Sequence, residues 1–358
     1  MKILKSGIVA RVTDSFFSYH AWPSVCRDEK GNIYVVCSGL RMGHMCPFGK
    51  IVMYKSRDGG ETFGLPTVIS DHYLDDRDPG LLYLGDGKML VTRASHSAET
   101  YIKEFADWIY SDSGEAGKGM LKQFEKIPEE YAKGGCFYRF VYDYGEKAGE
   151  EKPIPIHCPH GPAMLSDGSI LYLGKAVFAY GTEIEDHFFA YKSDDKGETF
   201  RRIGELKIPE GYELSQFHEA HCAQLPDGRL MGLLRTHLTD DDNYFTITKT
   251  FSEDGGKTWS TPELTGICGS PPHLCVLTGG NAALTYGRRI PPYGIYGRQV
   301  SGTGEISEDE FKLAECFDDD IGYPATVQLE DGTLFTVYYA RCKGDDTASL
   351  QYVKWNLE

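Results

Sequence analysis

The residues best suited to chemistry stand at the start of six short apolar segments. Tyr19, His20 and Trp22 precede the first, and Asp75, Asp76, Arg77 and Asp78 the second. His157 and His160 precede the third, His218, Glu219 and His221 the fourth, His273 the fifth and Tyr323 the sixth. Taken singly, each is read as a satisfied structural group. Gathered at one mouth, they would make a ligand site able to move protons and attack carbon. Arginines fall near the ends of the same segments: Arg41, Arg77, Arg235, Arg288, Arg289 and Arg298. A guanidinium grips a carboxylate through two parallel hydrogen bonds, so two or three converging on one mouth would bind an acidic sugar. The pairs His157-x-x-His160 and His218-x-x-His221 are poor chelates, because residues i and i+3 of a strand point to opposite faces. No metal and no cofactor is expected.

The elements that must position these groups are repeats. Each segment reads as an alternating apolar strand, a turn and a second apolar strand. The turns are Asp28 to Gly31, Asp86-Gly87, Asp167-Gly168, Asp227-Gly228, Gly279-Gly280 and Asp331-Gly332. A second motif, Ser-x-Asp-x-Gly-x-Thr-aromatic, recurs in register at Ser56 to Phe63, Ser193 to Phe200 and Ser252 to Trp259. Ser111-Asp112-Ser113-Gly114 and Ser301-Gly302-Thr303-Gly304 read as eroded copies. The Ser and Asp side chains of this motif suit backbone hydrogen bonds in a turn, which makes it structural, not catalytic. Six units of about four strands predict an all-β, six-bladed β-propeller spanning 1–358 as a single domain. Ile8 to Val12 and Leu350 to Trp355 are expected to pair and close the ring. Residues 97–152 read as an irregular insertion, with a helix around 118–131.

Composition agrees with this reading and narrows the partners. The chain is rich in glycine, with 41, and carries a formal net charge of -16. That charge argues against nucleic acid or an anionic membrane as a partner, but not against a small anionic carbohydrate. The first residues contain no long apolar run, and the ten cysteines contain no CxxC pair. The expectation is a cytoplasmic protein with reduced thiols, in which the insertion could form a rim loop over the site or a homo-oligomer contact.

The Ser-x-Asp-x-Gly-x-Thr motif is the Asp-box, and with six hairpin repeats the chain resembles the sialidase (neuraminidase) superfamily over nearly its whole length. The resemblance implies a six-bladed propeller and glycoside hydrolysis. It implies Tyr323 as nucleophile, Glu219 as the base for that tyrosine, and Arg235 with Arg289 or Arg288 as carboxylate ligands. A neutral tyrosine suits a sugar whose anomeric carbon bears a carboxylate, which would repel a carboxylate nucleophile. Two positions depart from the family pattern. Its first arginine site here reads Ala21-Trp22-Pro23, and its acid/base loop, Arg41 to Lys50, has no Asp. His44 and Asp78 are the remaining acid candidates, with Arg41, Arg77, His160 and His221 as further substrate contacts. Two other readings stand beside a glycosidase: a histidine-dependent lyase or hydrolase on uronate-containing glycans, and a non-catalytic carbohydrate-binding propeller.

Overall fold

The computed structural model describes residues 1–176, 187–239 and 244–357. Their strands form six antiparallel sheets of four strands each, the blades of a propeller. The inner strands are Tyr19–Arg27, Arg77–Gly85, Ala163–Met164, Phe217–Gln224, Ser270–Val276 and Ile321–Gln328. Blade six closes the ring: after Ile321–Gln328, Leu334–Arg341 and Ala348–Asn356, its outer strand is the amino-terminal Lys2–Ala10. This pairing runs antiparallel from Lys2 opposite Asn356 to Ala10 opposite Leu350, so the closing strand starts earlier than the sequence suggests. No described helix is long and apolar enough to cross a membrane.

The Ser-x-Asp turns link the third and fourth strands of blades one, three and four, and they act as staples between blades. Asp58 accepts hydrogen bonds from Ser56 Oγ at 2.7 Å, from the Thr62 amide at 3.0 Å and from Thr62 Oγ1 at 2.6 Å. Ser56 Oγ in turn accepts from the Gly60 amide at 2.7 Å. Asp195 and Asp254 repeat the pattern. The aromatic that ends each motif leans on the preceding blade, Phe63 on Phe335 and Tyr352, and Phe200 on Tyr138. Gly60, Gly197 and Gly256 have φ near +90° and touch side chains of that same neighbour, so a Cβ there would be both strained and crowded.

Two of the expected turns read differently in space. Ser111 to Gly114 lies within a helical segment that is kinked at Gly114, where φ is +53°, and the matching position of blade two is the tight turn Asp143–Gly145 between Gly135–Tyr142 and Lys147–Pro153. The helical signal of a serine- and glycine-rich stretch was hidden by its likeness to a turn motif. The insertion is accordingly shorter than 97–152, since residues 135–153 are the third and fourth strands of blade two. It contains α1 (Ala98–Lys103) and α2 (Ala106–Phe124), not a helix over 118–131. Ser97 caps α1 by accepting from the Thr100 amide. The helices bury Tyr101, Ile109, Met120 and Phe124 together with Met45 and Leu74, a satellite core that fixes them over blades one and two. Ser301, by contrast, does form the eroded turn, accepting from the Glu305 amide at 3.0 Å.

The hydrogen bonds to Asp58 and Asp254 make a prediction. Asp58→Ala and Asp254→Ala should each lower stability by about 1–2 kcal/mol in denaturant unfolding. Asp112→Ala, exposed on α2, should stay within about 0.5 kcal/mol of the parent. Hydrogen bonds led by those from Thr199 and Thr258 hold the Asp195 and Asp254 carboxyls at about 2, below the ordinary range. Their contribution is therefore complete above about pH 4 and is lost as pH falls toward 2.

Candidate active site

The side chains at the mouth are aimed by one backbone device. Trp22, Asp78 and Tyr323 have φ of +53°, +54° and +49°, each is followed by proline, and each lies in an interruption of the ladder of its inner strand. Such a bulge redirects a side chain and leaves a place for a residue that lacks an N–H. Left-handed backbone at a non-glycine residue costs about 1 kcal/mol or more, which the surrounding packing must supply. The same interruption holds His218 and Glu219 in blade four and Pro271-Pro272 in blade five. In blade three it is Gly161-Pro162, where Gly161 has φ of +77°. The recurring residue-proline pair is visible in the sequence and marks the aimed positions more sharply than a search for titratable residues.

Trp22, Asp78, Glu219 and Tyr323 all line one cavity of about 530 Å³. At its base Tyr323 Oη donates to Glu219 Oε1. Arg235 Nη1 donates to both Glu219 oxygens at 3.1 Å and reaches Tyr323 Oη at 3.3 Å. Burial alone would raise the Glu219 carboxyl, but Arg235, His218 and the tyrosine hydrogen bond outweigh it and hold it at about 2. Burial and the Glu219 charge push the Tyr323 phenol well above its usual value. At neutral pH the pair is thus a neutral phenol bonded to a carboxylate.

Arg289 lines the same cavity, held by the Ile321 carbonyl at 3.0 Å and Tyr339 Oη at 3.0 Å. Arg77 also reaches it, with Nε 3.1 Å from Asp78 Oδ2 and its guanidinium 4.5 Å above the Trp22 ring. Asp78 Oδ1 is buried and has no hydrogen-bond partner among the described residues. With Lys175, four cationic side chains face two carboxylates in this cavity.

Four expected contacts lie elsewhere. Arg41 is wholly buried behind Trp22 and clasped by Asp75, with Nη2 2.8 Å from Oδ2. Its position after an apolar strand does not tell a mouth residue from one that supports the mouth. Arg288 bonds Glu310 at 2.6 Å and lies on the Tyr296 ring, so it belongs to the outer part of blade five. His160 and His221 sit below Tyr323 in the channel with His273, their rings 4.5–5.6 Å apart. Both are neutral there, burial having lowered His221 to about 4 and His160 well below its usual value.

His44 does line the cavity, its ring 4.7 Å from Trp22 and 4.8 Å from Trp108. Burial, with Arg77 and Arg41 nearby, drives it well below its usual value, so it is a neutral imidazole at neutral pH. His218, at about 4 through burial and Arg235, is neutral as well. Phe105 and Trp108 complete the wall, so the insertion does lie over the site, but the two side chains were not singled out, because a helical segment's sequence does not say which of its residues face a mouth. Among the described residues no three His, Cys, Asp or Glu side chains are placed to hold a metal ion.

No family model and no curated protein matches the chain. Solved structures do. A protein of unknown function from Dyadobacter fermentans is 22% identical with a TM-score of 0.76, over 99% of this chain and 98% of that one. The NanB sialidase of Streptococcus pneumoniae is 13% identical with a TM-score of 0.71, over 98% of this chain and 70% of that one. The intramolecular trans-sialidase of Ruminococcus gnavus is 15% identical with a TM-score of 0.66, over 100% of this chain and 98% of that one. At these identities the likeness establishes the architecture alone: the chain has the six-bladed propeller fold of the sialidases.

Proposed function

We propose that the protein is a glycoside hydrolase of the sialidase type, acting on a terminal acidic sugar through Tyr323. The observation that carries this reading is the buried phenol donating to an ionised carboxylate under a guanidinium. In the first step Tyr323 Oη attacks the anomeric carbon while its proton passes to Glu219. The bond from that carbon to the leaving oxygen breaks, and its electron pair is captured by a proton from an acid. In the second step a water attacks the anomeric carbon and gives its proton to the conjugate base of that acid, the bond to the tyrosine oxygen breaks, and the departing phenolate regains its proton from Glu219.

Asp78 is the better acid. It stands on the same type of bulge as Tyr323, in the same cavity, with one carboxyl oxygen unengaged among the described residues. His44 is a neutral imidazole near neutral pH and so is not an imidazolium acid there. Arg289 and Arg235 are the carboxylate ligands, and the cationic excess of the cavity suits an anion despite the acidic surface. Trp22 takes the position where the family resemblance would put another arginine, so the carboxylate is held by fewer guanidinium groups and against an indole.

Three outcomes test the reading with chromogenic glycosides of acidic sugars. Tyr323→Phe should cut kcat/KM by more than about 10³-fold with an unchanged unfolding midpoint, and retained activity would remove the tyrosine from the mechanism. Asp78→Asn should cost about 10²–10⁴-fold on poor leaving groups and much less on good ones, whereas equal loss on both would argue against proton donation. Arg235→Met removes the largest charge that holds the Glu219 carboxyl down and leaves burial opposed only by His218 and the hydrogen bonds, so that carboxyl should rise from about 2. An acid limb should then enter the kcat/KM profile of that variant, with activity lost as pH falls through it. An unsaturated uronate among the products, seen by ultraviolet absorbance, would instead assign the site to elimination.

A further inference from the structure

A second cavity, of about 560 Å³, opens beside the first. The stretch Ser95-His96 runs between them, with Ser95 lining the outer cavity and His96 the central one. One wall comes from the segment that leads into blade two, through Tyr73 and Leu74. The adjoining wall is the end of the insertion, through Glu130, Tyr131 and Lys133. Tyr73 and Tyr131, 58 positions apart in the chain, stack with ring centres 4.5 Å apart and planes 18° apart. Both remain about half exposed, at 52% and 48%. Two tyrosines brought together from distant segments and left facing water are not explained by core packing.

The floor is polar and already organised. Glu151 accepts from Arg93 Nε at 2.8 Å and from Arg139 Nη2 at 2.9 Å, with His72 Nε2 at 3.5 Å. The buried Asp76 holds the other side of Arg93 at 3.0 Å and His72 Nδ1 at 2.9 Å. Each acidic group near the floor therefore has its cation. Asp71 on the rim likewise pairs with Lys50 at 2.5 Å. The cavity differs in this from the central one, where cations are in excess.

We propose that this cavity is a second carbohydrate subsite, which binds an uncharged pyranose ring. The tyrosine faces suit the apolar C–H face of such a ring, and the fixed carboxylates and guanidinium suit its hydroxyls. Charge balance selects a neutral sugar over an acidic one or a bare cation. A floor that is paired before binding loses little freedom when the sugar arrives. The subsite extends the carbohydrate reading of the central pocket, and would hold an uncharged part of a longer glycan whose acidic end lies at Tyr323.

Saturation-transfer NMR with lactose tests this without turnover, so a failed hydrolysis assay and a failed subsite are separate results. Wild-type protein should transfer saturation to lactose at millimolar concentration, and Glu219→Gln should do so equally. Tyr131→Ala and Tyr73→Ala should weaken binding at least about fivefold, the scale of one lost aromatic contact. Tyr131→Phe keeps the ring and should keep the affinity, which separates ring loss from misfolding. No transfer to lactose in the wild type would overturn the proposal. So would transfer that survives both alanine variants, or transfer that disappears in Glu219→Gln.

Discussion

A strand that lines a narrow channel has little room for a large side chain, and this constraint shapes the whole site. The inner strands of blades two and three approach so closely that a Cβ on Gly80 would lie 2.2 Å from the Gly161 Cα. Functional side chains therefore stand where the ladder is broken, at the mouth. The break is the left-handed residue and proline found at Trp22, Asp78 and Tyr323. It aims one side chain in each of blades one, two and six, an interruption without a proline presents Glu219 from blade four, and the ring of blades brings these side chains to one cavity. The catalytic proposal depends on that convergence more than on any single residue.

Once gathered, the groups are held by compensating charge. Asp75, fully buried, grips Arg41 and lies 3.5 Å from Arg77. Both guanidinium groups lie against Trp22, at 4.9 Å and 4.5 Å. The indole thus rests on two cations that are already neutralised, and it supplies shape where a bare arginine would supply charge. Arg235 plays the opposite part. Its charge is set on Glu219, and it keeps that carboxylate ionised in a place where burial would otherwise protonate it.

Much of this arrangement could be read from the sequence, for physical reasons. Strand period, turn glycines and the Ser-x-Asp motif are local signals, and they gave the blades and the ring closure, while the sialidase resemblance singled out Tyr323, Glu219, Arg235 and Arg289 or Arg288 among the residues at the blade entries and strand ends. What failed was non-local. Arg41 and Arg288 follow strands just as Arg235 does, and only the buried Asp75 and the outer-strand Glu310 decide that they face away. Asp112 imitates a turn residue in one dimension, yet the surrounding segment packs Ile109 and Met120 as a helix. His160 and His221 were placed in the right ring but at the wrong depth, because a sequence gives the register of a strand without the height at which the channel becomes dry.

The insertion in blade two shows how one local addition can reshape a repeated fold. It leaves the four-stranded sheet intact, since Ser95 still pairs opposite Gly135 across the helices. Its own buried cluster anchors it, with Met45 and Leu74 borrowed from the blades beneath. From that base its near end turns Phe105 and Trp108 into the central cavity, and its far end sets Tyr131 on Tyr73. The repeated part of the chain supplies the phenol, the carboxylates and the guanidinium groups. The unrepeated part supplies aromatic surface on both sides of Ser95-His96. In the proposed reaction the insertion would select the substrate and the blades would cleave the bond.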